Sequence, residues 1–153
     1  MNTIIYRQPQ SGDENQISDC LRSSVDLREI ADGMPAGVAV WHQICAPVAL
    51  RDRILSGENT LVAIWNDLVV GFIVFRSGNH LLLLFVRREF AGQKIGSELF
   101  TRCANNLDEI TVNSSDAAVG FYQKLGFIQS GYRFCKQGIW ATPMKWLNNA
   151  AEL

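Results

Sequence analysis

Apolar and polar positions along this chain alternate between two periods, and each change of period marks an element. Ile4–Arg7 reads as a first strand. From Asp13 to Ser24, Ile17, Cys20 and Leu21 recur at helical spacing behind a Ser-Gly-Asp start, which predicts an amphipathic helix. Residues 25–35 are ambiguous, and Gly33-Met34-Pro35 marks a break. A second helical region is expected over about 36–55, interrupted near Pro47 because proline lacks an amide donor. Gly57-Glu58-Asn59 reads as a turn. Thr60–Trp65 and Val69–Phe75 then flank Asn66-Asp67, a hairpin pattern with β-branched strands on both sides. After a turn at Ser77-Gly78-Asn79, His80–Val86 is a continuous apolar run of the kind that sits mid-sheet. Gln93–Asn106 carries Ile95, Leu99, Phe100 and Cys103 on one helical face. Glu109–Asn113 is a strand, and Asp116–Leu125 is a helix stopped by Gly126 at its C′ position. Phe127–Cys135 and Trp140–Trp146 close the pattern as strands, with Pro143 arguing for an edge or bulged position. The order β-α-α-β-β-β-α-β-α-β-β predicts a mixed sheet with helices on its faces.

Composition narrows the class without naming a function. A chain of 153 residues suits one domain, residues 1–153, with a substantial core. Hydrophobic content of 48% with 19% charged residues is that of an ordinary globular protein. The formal net charge is −1, with 14 basic against 15 acidic residues and no basic cluster, so no nucleic-acid footprint is visible. No apolar run approaches the ~18–20 residues that cross a bilayer, and Met1–Arg7 is too short and mixed for a secretory signal. Cys20, Cys45, Cys103 and Cys135 are scattered, with no C-x-x-C pair and no His at ligand spacing. They are expected to be small core residues of a reduced, cytoplasmic protein without a metal.

The chemistry concentrates in residues 84–127. An apolar strand ending Leu84-Phe85-Val86 runs through a short turn into Ala91-Gly92-Gln93-Lys94-Ile95-Gly96-Ser97, which opens a helix. A glycine-containing turn into a helix presents unpaired backbone N–H groups at a positive dipole end, an anion site suited to a pyrophosphate. Taken alone, two glycines near a helix start are more often plain turn chemistry. Further on, Tyr122 lies on a short helix that ends at Gly126, where a phenol could donate a proton to a leaving group held at the first site. For an isolated tyrosine, packing beside Phe121 is the default.

At these residues the sequence resembles the GNAT superfamily of acyl-CoA-dependent N-acyltransferases, and in particular small bacterial members of unassigned substrate. The family's Arg/Gln-x-x-Gly-x-Gly/Ala appears here as Ala91-Gly92-Gln93-Lys94-Ile95-Gly96, in which Gly96 alone keeps a defining position. Its Asn-x-x-Ala-x-x-Phe-Tyr-x-x-x-Gly-Phe is matched from Asn113 to Phe127, with one extra residue after the Asn. The resemblance spans roughly residues 60–147. It implies a single-domain α/β (α+β) fold with a mixed twisted sheet of about six to seven strands and about four helices, splayed between the fourth and fifth strands.

The resemblance also implies a mechanism and a site. An amine attacks the thioester of an acyl-CoA, most simply acetyl-CoA, in a ternary complex. Amides of the loop from Ala91 to Ser97 (Ala91, Gly92, Gln93, Lys94, Ile95, Gly96, Ser97) hold the pyrophosphate. Backbone groups of Leu84, Phe85 and Val86, freed by a bulge, pair with the pantetheine and polarise the carbonyl. Asn113 bonds the pantetheine arm or an ordered water, or is simply a strand-end turn former. Tyr122 protonates the departing thiolate. His80 is the candidate base, on the face of Leu82 and Leu84 by alternation, against the plain reading of a strand-start hydrogen bonder. His42, Glu58 and Glu89 are weaker candidates. Ala91 and Lys94 depart from the family, and the Lys94 Cβ is expected to crowd the cofactor and reduce its affinity. Acceptor specificity is assigned to residues about 20–55 and 128–142, where Trp41, Trp65, Trp140, Tyr132 and Phe134 could line a pocket. Three alternatives stay open: a non-catalytic acyl-CoA sensor, an enzyme acting on protein amines or aminoacyl-tRNA, and a scaffold kept for assembly. A homodimer is also left open, and Leu147–Leu153 is expected to fray.

Overall fold

The computed structural model describes residues 3–25, 35–56 and 59–149. The ambiguous segment 26–34, with Gly33 and Met34, and the turn residues Gly57 and Glu58 lie outside them. In chain order the elements are β1 (Ile5–Arg7), α1 (Glu14–Ser24), α2 (Pro35–Cys45), α3 (Pro47–Ser56), β2 (Thr60–Trp65), β3 (Leu68–Arg76) and β4 (His80–Val86). They continue with α4 (Ile95–Ala104), β5 (Glu109–Ser114), α5 (Val119–Leu125), β6 (Ile128–Gln129), β7 (Phe134–Lys136) and β8 (Ile139–Leu147). Single 3-10 turns cover Arg88–Phe90 and Asp116–Ala118.

The eight strands form a mixed sheet in the order β1-β2-β3-β4-β5-β8-β6, with β7 paired to β8 off that path. Every pairing is antiparallel except β4 with β5. Helices cover both faces. On one face α4 and α5 bury Ile95, Leu99, Phe100 and Tyr122 against Ile73, Leu81, Ile110, Val112 and Met144. On the other, α1–α3 bury Ile17, Leu21, Trp41 and Leu50 against Val62, Phe72 and Leu83. Each such large apolar side chain, once buried, contributes about 1.5–3 kcal/mol. Gly71 in β3 sets how closely α4 lies on the sheet: a Cβ there would stand 3.2 Å from Ile95 Cγ2 and 3.2 Å from the Phe85 carbonyl oxygen.

Two irregularities in β4 shape the rest. Val74 opposes Leu83 while Phe75 opposes Leu81, so Leu82 is an extra residue and β4 bulges there. Pairing with β5 covers only His80 with Thr111 and Leu81 with Val112. Beyond Leu81 the two strands splay apart. The bulge also resets the alternation, because Leu81, Leu84 and Val86 face α4 and α5 whereas Leu82, Leu83 and Phe85 face α1–α3. His80 therefore does not share a face with Leu84, as strict alternation had suggested.

Other boundaries shift for identifiable reasons. The stretch 127–135 is two short strands, β6 and β7, because Gly131 is packed against the Pro143 ring and the chain leaves the ladder after Gln129. Pro143 sits inside β8, opposite Asn113 of β5. Its carbonyl accepts from the Ser130 amide at 2.9 Å, so its absent N–H falls on the β6 side just where that ladder ends. Leu147 still belongs to β8, and the Asn148 amide donates to the Asp108 carbonyl at 2.8 Å, so fraying does not begin there; residues 150–153 lie outside the described set. Cys20, Cys45 and Cys103 are buried as expected, and Cys135 is exposed.

Candidate active site

Among the described residues the splay leaves the β5-facing backbone edge of β4 without a strand partner beyond Leu81, and a cavity of about 450 Å³ opens beside it. Its wall runs from Leu84, Phe85 and Val86 through Phe90, Ala91, Gly92 and Lys94 to the first turn of α4, Ile95, Gly96 and Ser97. The opposite side is Ser115, Ala117, Ala118, Phe121 and Tyr122, with Ser24 and Val25 at one end. The loop earns its course from two left-handed residues. Gly92 has φ +81°, and Lys94, at the N-cap of α4, has φ +63° and ψ +20°. The first helical bond of α4 runs from the Glu98 amide to the Lys94 carbonyl at 3.0 Å, so the amides of Ile95, Gly96 and Ser97 carry the helix's unpaired donors. No carboxylate lines this cavity among the described residues, and Lys94 adds a cation. That donor set fits a polyanion beside an apolar arm.

Glycine at position 96 is explained by packing. A Cβ there would stand 3.2 Å from Phe121 Cζ, so the residue lets α5 close on α4. The Lys94 backbone supplies a second reason for a family preference for glycine at that position. A residue with a Cβ pays about 1–2 kcal/mol in the left-handed region, whatever the ligand does.

Tyr122 is buried, with its ring edge-on to Phe121 at 5.3 Å and to Phe127 at 5.2 Å. Gly126 ends α5 in a left-handed turn (φ +106°), and the Phe127 amide donates to the Tyr122 carbonyl at 3.0 Å, which fixes the helix end beneath the ring. Among the described residues no group hydrogen-bonds the Tyr122 hydroxyl, and burial pushes its pKa upward, so the phenol keeps its proton at neutral pH.

A second cavity of about 330 Å³ lies toward the α1–α3 face of the splay. Trp41, Val40 and Ile44 of α2, Leu82 and Leu83 of β4, and Phe134, Ile139 and Trp140 of the β7–β8 hairpin give it apolar walls. His80 and Asn113 also line it. The His80 Nδ1 is 2.9 Å from Thr111 Oγ1, and its pKa is lowered, first by burial and then by Arg76. The hairpin turns through Gln137 (φ +55°) and Gly138 (φ +81°), and a Cβ at Gly138 would collide with the Gly37 backbone of α2. That contact closes the hairpin over the cavity. The two cavities share five lining residues: Leu84, Phe85, Ser115, Ala118 and Tyr122.

The expected site residues therefore divide. Leu84, Phe85, Val86, Ala91, Gly92, Lys94, Ile95, Gly96, Ser97 and Tyr122 line the first cavity; Gln93 is exposed beside it, and Asn113 faces the second cavity instead. His42 lies outside both, 3.2 Å from Arg22, as does the exposed Glu89; Glu58 is outside the described residues. Trp41, Trp140 and Phe134 line the second cavity, whereas Trp65 stacks on Phe90 and Tyr132 is 95% exposed. Ser24 and Val25 at the end of α1 went unforeseen in the first cavity, and Arg53, Arg76 and Lys136 in the second. None of these stands in a recurring motif.

Residues 29–148 match the family model of the acetyltransferase (GNAT) domain. The chain belongs to the GNAT acetyltransferase family. This membership places it among the N-acetyltransferases. A relative in Escherichia coli K12, the uncharacterized N-acetyltransferase YafP, is 29% identical over 127 residues, covering 83% of each chain. Among solved structures, a GCN5-related N-acetyltransferase of Rhodopseudomonas palustris superposes with a TM-score of 0.80 at 21% identity, covering 97% of this chain and 98% of that one. The PaiA N-acetyltransferase of Thermoplasma acidophilum, solved in complex with coenzyme A, gives 0.76 at 17% identity, with 95% and 99% covered. In this GNAT chain no described helix is long and apolar enough to cross a membrane, and no described cluster could hold a metal ion.

Proposed function

We infer that this enzyme transfers an acetyl group from acetyl-CoA to a primary amine by direct attack in a ternary complex. The observation that carries this reading is that a polyanion-fitted cavity and an apolar cavity meet at Leu84, Phe85 and Tyr122. The donor supplies an acyl thioester: the amine lone pair forms the new N–C bond, the C–S bond breaks, and its electron pair leaves on sulfur. The α4 amides and Lys94 hold the phosphates. The β4 edge pairs with the pantetheine and directs backbone N–H groups at the carbonyl, where preorganised donors are most effective. Tyr122 holds its proton toward the departing sulfur. Burial keeps the phenol protonated until a thiolate forms beside it. His80, kept neutral by burial and Arg76, accepts the proton lost by the amine, directly or through water. The near-even charge and the three buried thiols support a reducing, cytoplasmic setting.

Calorimetry and thermal unfolding with acetyl-CoA, followed by an amine panel, test the reading. Saturating donor at ~100 times its Kd should stabilise the fold by about 2.7 kcal/mol. Tyr122→Phe should lower kcat by about 10²-fold with donor affinity unchanged. Absence of binding up to millimolar concentrations overturns the proposal, and binding without turnover of any amine reduces the chain to an acyl-CoA-binding domain.

A further inference from the structure

The second cavity carries a charge pattern that the acyl-transfer chemistry does not require. Arg53 of α3, Arg76 at the end of β3 and Lys136 of β7 all line it, and no Asp or Glu does among the described residues. The three cations come from separate elements, so helix periodicity does not account for them. Each is placed by its fold. Arg76 stands opposite His80 in the β3–β4 register, near enough to depress the imidazole, and Lys136 pairs with Ile139 across the turn that Gly138 docks on Gly37. Behind them the wall is Trp41, Ile44, Phe134 and Trp140.

We propose that the acceptor is a small amine that also carries an anionic group on an apolar skeleton, with Arg76 and Lys136 binding the anion while its amine points toward Tyr122. This inference rests on the acetyltransferase reading and specifies its substrate class. A polyamine meets the like charges of Arg76 and Lys136 and no described carboxylate, and a neutral alkylamine leaves those two cations unused. An amine on the carbon next to a carboxylate satisfies both ends. The anion lies at the mouth with Arg76 and Lys136, the side chain lies against the indoles, and the nitrogen faces the shared wall of Leu84, Phe85 and Tyr122. A volume of about 330 Å³ fits such a molecule. The anion is defined by charge, so a carboxylate and a phosphonate both qualify and are separated by experiment.

The test uses matched pairs. Purified protein without donor is titrated calorimetrically with N-acetylphenylalanine and with N-acetylphenethylamine, the same product lacking the carboxylate. The carboxylated ligand should bind about tenfold or more tightly, the effect of a charge-assisted contact. The double variant Arg76→Gln/Lys136→Gln should erase the difference while keeping the wild-type melting temperature, since both side chains are exposed. With acetyl-CoA, phenylalanine should exceed phenethylamine and spermidine in kcat/KM, and the double variant should remove the advantage of phenylalanine over phenethylamine, chiefly through KM. A parallel arm with 1-amino-2-phenylethylphosphonate tells a carboxylate site from a phosphoryl site. Equal or reversed preference within the pair, no binding of either N-acetyl ligand, or efficient acetylation of spermidine overturns the inference. Failure of acetyl-CoA to bind while the N-acetylphenylalanine preference persists would instead remove the acetyltransferase reading and leave the anion pocket standing.

Discussion

The two cavities on either side of Tyr122 are built in different ways. The first is made largely of backbone: the unpaired edge of β4, a left-handed loop and the first turn of α4, with Gly96 and Gly71 setting the distances between elements. The second is made of side chains brought from α2, α3, β3, β4, β5 and the β7–β8 hairpin. A backbone site tolerates many sequences provided its turns and close approaches survive. A side-chain site changes its ligand with every substitution. On the proposed acyl-transfer reading, the same architecture can therefore keep its donor and vary its acceptor, and the two regions should respond to mutation separately.

Gly138→Ala tests that separation with the largest expected effect. The new Cβ meets backbone of Gly37 and Ala36, where no flexible side chain can yield, and it must also adopt φ +81°. Overpacking of this kind costs about 1–3 kcal/mol, and the left-handed residue adds about 1–2 kcal/mol. The melting temperature should fall by several degrees and acceptor KM should rise, with acetyl-CoA affinity held. Gly71→Ala should show the reverse pattern, disturbing α4 and donor binding before the acceptor. Equal loss of both affinities in either variant would break the comparison.

This contrast explains what could be read from the chain alone. The run His80–Val86, the helix face of Ile95, Leu99, Phe100 and Cys103, and the stop at Gly126 are local signals, and each sits where its pattern places it. The turn from Ala91 to Ser97 into α4 was legible because strand, turn and helix are consecutive in sequence. The bulge at Leu82 was expected somewhere in this strand, but its position depends on the β3 register, which no single segment encodes. It moved His80 off the Leu84 face. Asn113 keeps its strand but faces the other cavity, because alternation along β5 puts it on the face opposite Val112, which packs on the α4–α5 side. Arg53, Arg76 and Lys136 are 23 or more positions apart, and only the packing of α3 and the β7–β8 hairpin against the sheet brings them together.

Lys94→Gly sharpens the account of the backbone-built cavity with an intermediate effect. Two causes for a glycine preference at this position act on different observables. Relief of the left-handed penalty should stabilise the free protein by about 1 kcal/mol, offset in part by the entropy a glycine adds to the unfolded chain. Relief of crowding should tighten acetyl-CoA binding, while loss of the ammonium should weaken it and flatten its salt dependence. A melting temperature that rises with an unchanged Kd assigns the residue to loop geometry. A tighter Kd assigns it to the ligand.

The smallest expected effect concerns His80, a titrating group in the wall of the second cavity. Burial and Arg76 lower its pKa, so the unfolded chain binds the proton more tightly than the folded one. Stability supplied by the neutral ring is complete above the ordinary imidazole value of ~6.5 and is lost as pH falls through the lower folded value. One proton limits the slope to about 1.4 kcal/mol per pH unit, and the half-exposed ring keeps the measured slope below that ceiling. His80→Gln should remove this acid limb from the melting curve. If His80 also accepts the amine proton, kcat/KM in the wild type keeps an acid limb with its midpoint below ~6.5, and the Gln variant loses that limb together with much of its rate. A variant that loses the stability limb while retaining the rate profile confines His80 to its Thr111 hydrogen bond, and the proton then leaves through water or from an amine that enters already neutral.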